Sequence, residues 1–182
     1  MGFMLIQPTA IAGLYEVQYQ PYHDHRGAFV KTIHRNSFEN AGLHWCFEES
    51  YFSVSAAGVI RGMHFQLPPA AHDKLVYVVN GSIQDVVLDL RQSAPTYGSY
   101  LVTQLSAANR KGLYIAAGLA HGFISEAADT VVEYHTTTAQ DKAAEAGVLW
   151  NSFGYKWPVV APVLSDRDRA FPAFDKQQQY FI

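Results

Sequence analysis

The sequence predicts an all-β fold, a jelly-roll barrel with few and short helices. Three observations predict it. Short apolar runs recur along the chain, turn residues separate them at near-regular spacing, and helical periodicity is scarce. Many short strands of this kind close as an antiparallel sandwich or barrel. The first element in order is a short helix over 35–41, stopped by Gly42. Strands follow at 75–79, 83–90, 100–105, 113–116, 122–125 and 130–137. Asn80-Gly81 lies between the first two and predicts a two-residue hairpin, because Asn and Gly tolerate the positive φ that such a turn demands. Ala94-Pro95 and Tyr97-Gly98 punctuate the next gap, and Ala108-Asn109 the one after. From Asp166 onward there is room for another helical turn or two. Without repeats, low-complexity tracts or a linker, residues 1–182 read as a single domain.

Composition narrows the function. Hydrophobic residues make up 49% and charged residues 16%, a globular balance rather than a disordered one. The net charge is −3 with no basic run, so no nucleic-acid partner is expected. Eleven Tyr, eleven Phe and three Trp suit pleated, half-buried surfaces, and some are free to stack on a flat ligand. Cys46 is the sole cysteine, which rules out an intramolecular disulfide and a cysteine metal cage. Between Trp45 and Phe47 it reads as a small core residue. The N-terminal stretch has no signal-peptide pattern and no apolar run is long enough to cross a bilayer. A cytoplasmic protein without membrane association is the expectation.

Three polar clusters interrupt the apolar strands. They are Arg61-Gly62-Met63-His64-Phe65-Gln66 with His72 and Lys74, then Ala120-His121-Gly122-Phe123, then Glu133-Tyr134-His135 with Glu145 and Trp150-Asn151. His64 sits between Met63 and Phe65, an ionisable group in an apolar frame where pKa values shift. Metal-binding barrels of the cupin type carry two histidines one residue apart, followed by a carboxylate and a third histidine. Here position 66 is Gln, and the first carboxylate after His64 is Asp73. Catalytic zinc or iron needs about three well-placed ligands. No metal and no other cofactor is therefore expected.

Eight motifs in order carry a resemblance: DHRGAF at 24–29, GVIRGMHFQ at 58–66, KLVYVVNGSIQDVVLDLR at 74–91, SAPTYGSYLVTQLSAAN at 93–109, AAGLAHGF at 116–123, EAGVLWN at 145–151, KWP at 156–158 and LSDRD at 164–168. From about residue 8 to about 175 the chain resembles the dTDP-4-dehydrorhamnose 3,5-epimerases. The resemblance implies a cupin-like jelly roll, usually a homodimer, acting on a nucleotide-linked 4-keto-6-deoxy sugar. It implies removal of a proton beside the ketone and its return on the opposite face. His64 matches the base, Asp168 the carboxylate that orients it, and Tyr134 the acid across the ring. Lys74 matches the cation beside the sugar oxygens, and His121 with Asp85 a second His–carboxylate pair. Arg26 and Arg61 match residues gripping the diphosphate, Phe29 a ring stacked on the base, and Glu145 a further pocket residue.

The departures fall on substrate-facing positions. Gln140 stands where relatives carry a second pocket tyrosine, Lys31 where they carry a Glu, Glu49 and Tyr51 where a Gln and an Asn are expected, and Ser152 for an Asp. The missing tyrosine points to inversion at one centre only. Lys31 and Glu49 open a cytosine-type base as an alternative to thymine, since Lys only donates hydrogen bonds; their mutual ion pair is the structural alternative. Against the epimerase stand a ketoisomerase, a metal-dependent cupin oxygenase and a sugar- or nucleotide-binding module without catalysis.

Overall fold

The computed structural model describes residues 3–181. Two antiparallel sheets face each other. The larger holds, in spatial order, β1 (Met4–Pro8), β2 (Leu14–Tyr19), β10 (Lys111–Ile115), β7 (Lys74–Asn80), β12 (Thr130–Thr136) and β5 (Glu49–Ser55). The smaller holds β13 (Glu145–Gly147), β6 (Ile60–Gln66), β11 (Leu119–Ser125), β8 (Ser82–Asp89) and β9 (Tyr100–Ser106). A separate two-stranded ribbon pairs β3 (Tyr22–Asp24) with β4 (Gly27–Phe29). The helices are α1 (Arg35–Asn40) and α2 (Asp166–Arg169). The architecture is the all-β, cupin-like jelly roll that the sequence predicts.

Burial explains which strands the sequence reveals. Val76, Val132 and Leu113 from one sheet meet Ile83, Val87 and Phe123 from the other in the central core. The outer face of the smaller sheet is covered in turn, where Trp157, Tyr180 and Phe181 join Ile60, Phe65 and Leu88. Strands β8 and β11 are therefore buried on both faces and read as continuous apolar runs. All six predicted strands fall on β7–β12. Strands β1–β6 and β13 were not predicted, and β3, β4 and β5 are mostly exposed, with little apolar pattern to read. Phe38 of α1 packs on Met4, Val17 and Tyr114 across the outer face of the larger sheet.

Two expectations are corrected. Asn80-Gly81 makes a turn but not a hairpin, for β7 belongs to the larger sheet and β8 to the smaller. Turn chemistry sets the local φ, here +81° at Gly81, but not which sheet the next strand joins. A Cβ at Gly81 would stand 2.4 Å from Thr130 Oγ1, so this crossing is closely packed. Cys46 is exposed and not a core residue.

A register shift in the β6–β11 pair positions the site. His121 pairs with His64, but Phe123 pairs with Arg61, so three steps on β6 answer two on β11. A regular strand sends residues three apart to opposite faces. The extra residue lets Arg61 and His64 line the same cavity. Gly62 carries the shift with φ +135°, and a Cβ there would stand 2.5 Å from Gly122 Cα. The Gly62→Ala protein is expected to lose about 2–4 kcal/mol of stability from backbone strain and overpacking combined. Its denaturant midpoint checks this, and an unchanged midpoint would show that the strand can relax.

Candidate active site

Between the sheets lies an open cavity of about 1010 Å³, with His64, Lys74, His121 and Tyr134 on its wall. These side chains come from β6, β7, β11 and β12, so rigid strands hold them.

His64 Nε2 lies 2.9 Å from Asp168 Oδ1. Asp168 is 2% exposed and is held at its other oxygen by the Gly62 N–H, 3.0 Å away. Ser165 caps α2 and accepts from the Asp168 N–H at 3.1 Å, fixing the backbone beneath the carboxylate. Burial raises the Asp168 pKa, but the bonds from His64, Gly62 and Ser165 outweigh it and keep the carboxyl far below the usual carboxylate range. Burial pulls His64 below its ordinary value against the bond and charge of Asp168, and Lys74 and Arg167 add to the fall. At neutral pH the pair is a carboxylate and a neutral imidazole. The carboxylate accepts a hydrogen bond from the Nε2–H, which leaves the lone pair on Nδ1. That nitrogen makes no hydrogen bond among the described residues.

Arg167, which the sequence reading missed, approaches the same Nε2 at 3.2 Å. A guanidinium only donates, so it and Asp168 compete for that nitrogen. Asp168 is nearer and buried, whereas the Arg167 side chain is 53% exposed and also reaches Glu145 at 3.4 Å. The motif LSDRD contained it, one residue before the Asp singled out.

Lys74 is 8% exposed, and its ammonium makes no ion pair or hydrogen bond among the described residues. Burial lowers its pKa to about 8, with the charge of Asp85 opposing the fall. Asp85 is fully buried; its Oδ2 binds His121 Nε2 at 2.7 Å, and its Oδ1 has no partner among the described residues. Tyr134 stacks on Tyr51 with centroids 5.0 Å apart, and its hydroxyl lies 3.2 Å from Ser53 Oγ. Burial raises the Tyr134 pKa well above the ordinary phenol value, so it keeps its proton as an acid must.

The mouth is polar. Arg61 donates to Ser55 Oγ at 3.0 Å and to the Val54 carbonyl at 3.1 Å. Glu49 and Glu145 line the cavity, and Gln140 donates to Glu145 at 2.5 Å. Gln140 thus ties down the neighbouring carboxylate. Ser152 accepts from the Phe174 N–H at 2.7 Å and fastens the segment that covers the smaller sheet.

The other assigned residues lie apart. Arg26 is on the β3–β4 ribbon, paired with Asp24 at 2.5 Å, and Phe29 is 61% exposed. Lys31 holds its ammonium 3.8 Å from the centre of the Phe3 ring, and no Lys31–Glu49 ion pair forms. None of the three lines the cavity of its own chain. Glu133 and His135, read as part of a polar cluster with Tyr134, bond instead to Ser50 at 2.8 Å and Tyr77 at 3.2 Å. Among the described residues no three His, Cys, Asp or Glu side chains are placed to share a metal ion. No helix there is long and apolar enough to cross a membrane.

The pKa shifts give a pH window. A base must be neutral and a charge-stabilising ammonium protonated. Catalytic efficiency is expected to rise as pH climbs through the lowered His64 value, below 6.5, and to fall through about 8 as Lys74 loses its charge. A kcat/KM profile checks this, and a basic limb unmoved in a Lys74→Arg enzyme would contradict it.

The fold and the cavity define an isomerase on a cupin-like jelly roll. The chain belongs to the dTDP-4-dehydrorhamnose 3,5-epimerase family, whose sequence profile matches residues 8–176. It is 40% identical over 150 residues to a dTDP-4-dehydrorhamnose 3,5-epimerase of Shigella flexneri, covering 81% of this chain and 83% of that one. It is 35% identical over 169 residues to a dTDP-4-dehydrorhamnose 3-epimerase of Streptomyces niveus, covering 91% and 82%. The crystal structure of the 3,5-epimerase from Bacillus anthracis, with TDP and PPi bound, superposes with a TM-score of 0.91 at 36% identity, covering 94% and 99%.

Proposed function

We propose that this protein epimerises a dTDP-linked 4-keto-6-deoxyhexose next to its ketone, at carbon 3, carbon 5 or both, in deoxysugar biosynthesis. The observation that carries the reading is the pair His64–Asp168, at 2.9 Å, with His64 Nδ1 unpartnered among the described residues, on a cavity wall shared with Lys74. His64 takes the proton from the carbon beside the ketone. The C–H pair becomes the enolate double bond, and the carbonyl π pair moves onto the oxygen that Lys74 stabilises. Tyr134 returns a proton to the opposite face, and its phenolate is reprotonated from solvent. Arg61 and Arg167 at the mouth suit the diphosphate, with forked donors for its oxygens. No cofactor takes part.

The site residues on the ribbon and just beyond it fit a homodimer. Arg26, Phe29 and Lys31 stand outside their own cavity, so they serve the nucleotide in the partner's cavity. Thymine is the base we assign, because the Bacillus anthracis relative was crystallised with TDP bound and Lys31 is occupied by Phe3. Incubation with dTDP- and CDP-linked 4-keto-6-deoxyglucose, read by NMR, tests the reading. An inverted 4-keto sugar from the dTDP substrate supports it. A ketone moved along the ring, turnover lost on removal of a stoichiometric metal, or preference for CDP would each overturn a stated part.

A further inference from the structure

The cavity deepens behind Lys74 and His121 into an alcove of about 10 Å³, roughly the room of one water, and His72 lies on the wall of both spaces. His72 lies two residues before the start of β7, and the alternation that turns Lys74, Val76 and Val78 inward turns His72 inward as well. Its Nδ1 lies 3.1 Å from Gln66 Nε2. The Gln66 amide has one orientation only: Oε1 accepts from the Asp141 N–H at 2.7 Å and Nε2 donates to the Ala70 carbonyl at 2.8 Å. Gln66 therefore presents a donor to Nδ1. Thr138 Oγ1, 3.3 Å from the same nitrogen, spends its proton on the Ala70 carbonyl at 3.0 Å. Nδ1 must hold the lone pair, and the ring proton sits on Nε2, which has no partner among the described residues.

We propose that His72 is a second, permanently neutral donor in the reaction, its Nε2–H bonding the substrate oxygen that takes up negative charge beside Lys74. This rests on the epimerase reading of the same cavity. A second proton on Nδ1 would face the Gln66 N–H, with the Lys74 ammonium nearby. Burial, then the Lys74 charge, hold the His72 pKa down to about 4, against the opposing charge of Asp73. A neutral imidazole surrenders its proton far less readily than an imidazolium, so it polarises the carbonyl without protonating the enolate oxygen. His72 gains and loses no proton in the cycle. Lys74 supplies charge, and His72 supplies direction.

The test joins NMR to kinetics on the intact protein. Nitrogen-detected NMR is expected to show His72 protonated at Nε2 only, with no titration between pH 5 and 9. His72→Ala is expected to lower kcat roughly 10²-fold while dTDP affinity stays unchanged, and His72→Gln, which keeps an N–H donor, to recover most of the rate. A proton on Nδ1, titration above pH 5, or an unchanged kcat in His72→Ala would overturn the assignment. A wild-type enzyme that inverts no substrate overturns the epimerase reading instead, and the NMR result judges the tautomer separately.

Discussion

Replacing His64 by Ala is expected to lower kcat by about 10²- to 10⁴-fold, with KM for the nucleotide sugar little changed. The imidazole combines a free lone pair with a fixed carboxylate partner 2.9 Å away, and it shares the cavity wall with Lys74. Lys74 is close, but its ammonium has no lone pair until pH passes about 8. Tyr134 holds its proton too tightly to serve as the first base. The loss should be chemical and not structural, because Asp168 keeps the Gly62 N–H at 3.0 Å and its place in α2. Steady-state kinetics beside a thermal melt check both halves. A fully active variant, or one that fails by unfolding, would contradict the assignment.

Tyr134→Phe is expected to lower turnover to product by a similar 10²- to 10⁴-fold, yet to leave exchange of substrate hydrogen with solvent on the His64 face. In the proposed mechanism the phenol donates in the second half of the reaction, so its removal is expected to strand the enolate after the base has acted. The enolate then collapses by recapturing a proton from His64, which exchanges with water. Phe preserves the ring stacked on Tyr51 at 5.0 Å, so the wall keeps its shape. Its loss leaves Ser53 Oγ without its neighbour at 3.2 Å, a small change at the cavity edge. Label uptake without inversion, followed by mass spectrometry and NMR, is the expected signature. Loss of both in equal measure would place Tyr134 in the first step.

The contrast between the two halves of the chain shows what a sequence reveals. Strands β7–β12 are legible because burial on one or both faces writes itself as alternation or as an unbroken apolar run. Strand β5 is not, since Tyr51, Phe52 and Val54 are all exposed and its pattern says nothing of an inside. The Asn80-Gly81 turn was legible as φ and illegible as pairing, because both outcomes need the same two residues. In the site, His64, Lys74, His121, Asp85, Tyr134 and Asp168 come together from five separate stretches of sequence, Lys74 and Asp85 sharing one, and resemblance linked them beforehand. Arg167 escaped notice because an Arg beside two Asp residues reads as a solvated charge. The bulge at Gly62, which turns Arg61 and His64 to one side, leaves no periodic signal at all. Nor does a single chain's sequence say that Arg26, Phe29 and Lys31 stand away from their own cavity.

If His64 removes the proton beside the ketone, the initial rate of deuterium uptake from heavy water into dTDP-4-keto-6-deoxyglucose must depend on it, with wild type and His64→Ala compared under identical conditions. Label is expected at a carbon flanking the ketone with wild type, and a rate at least about 10²-fold lower with His64→Ala. Uptake by His64→Ala at the wild-type rate would contradict that role for His64.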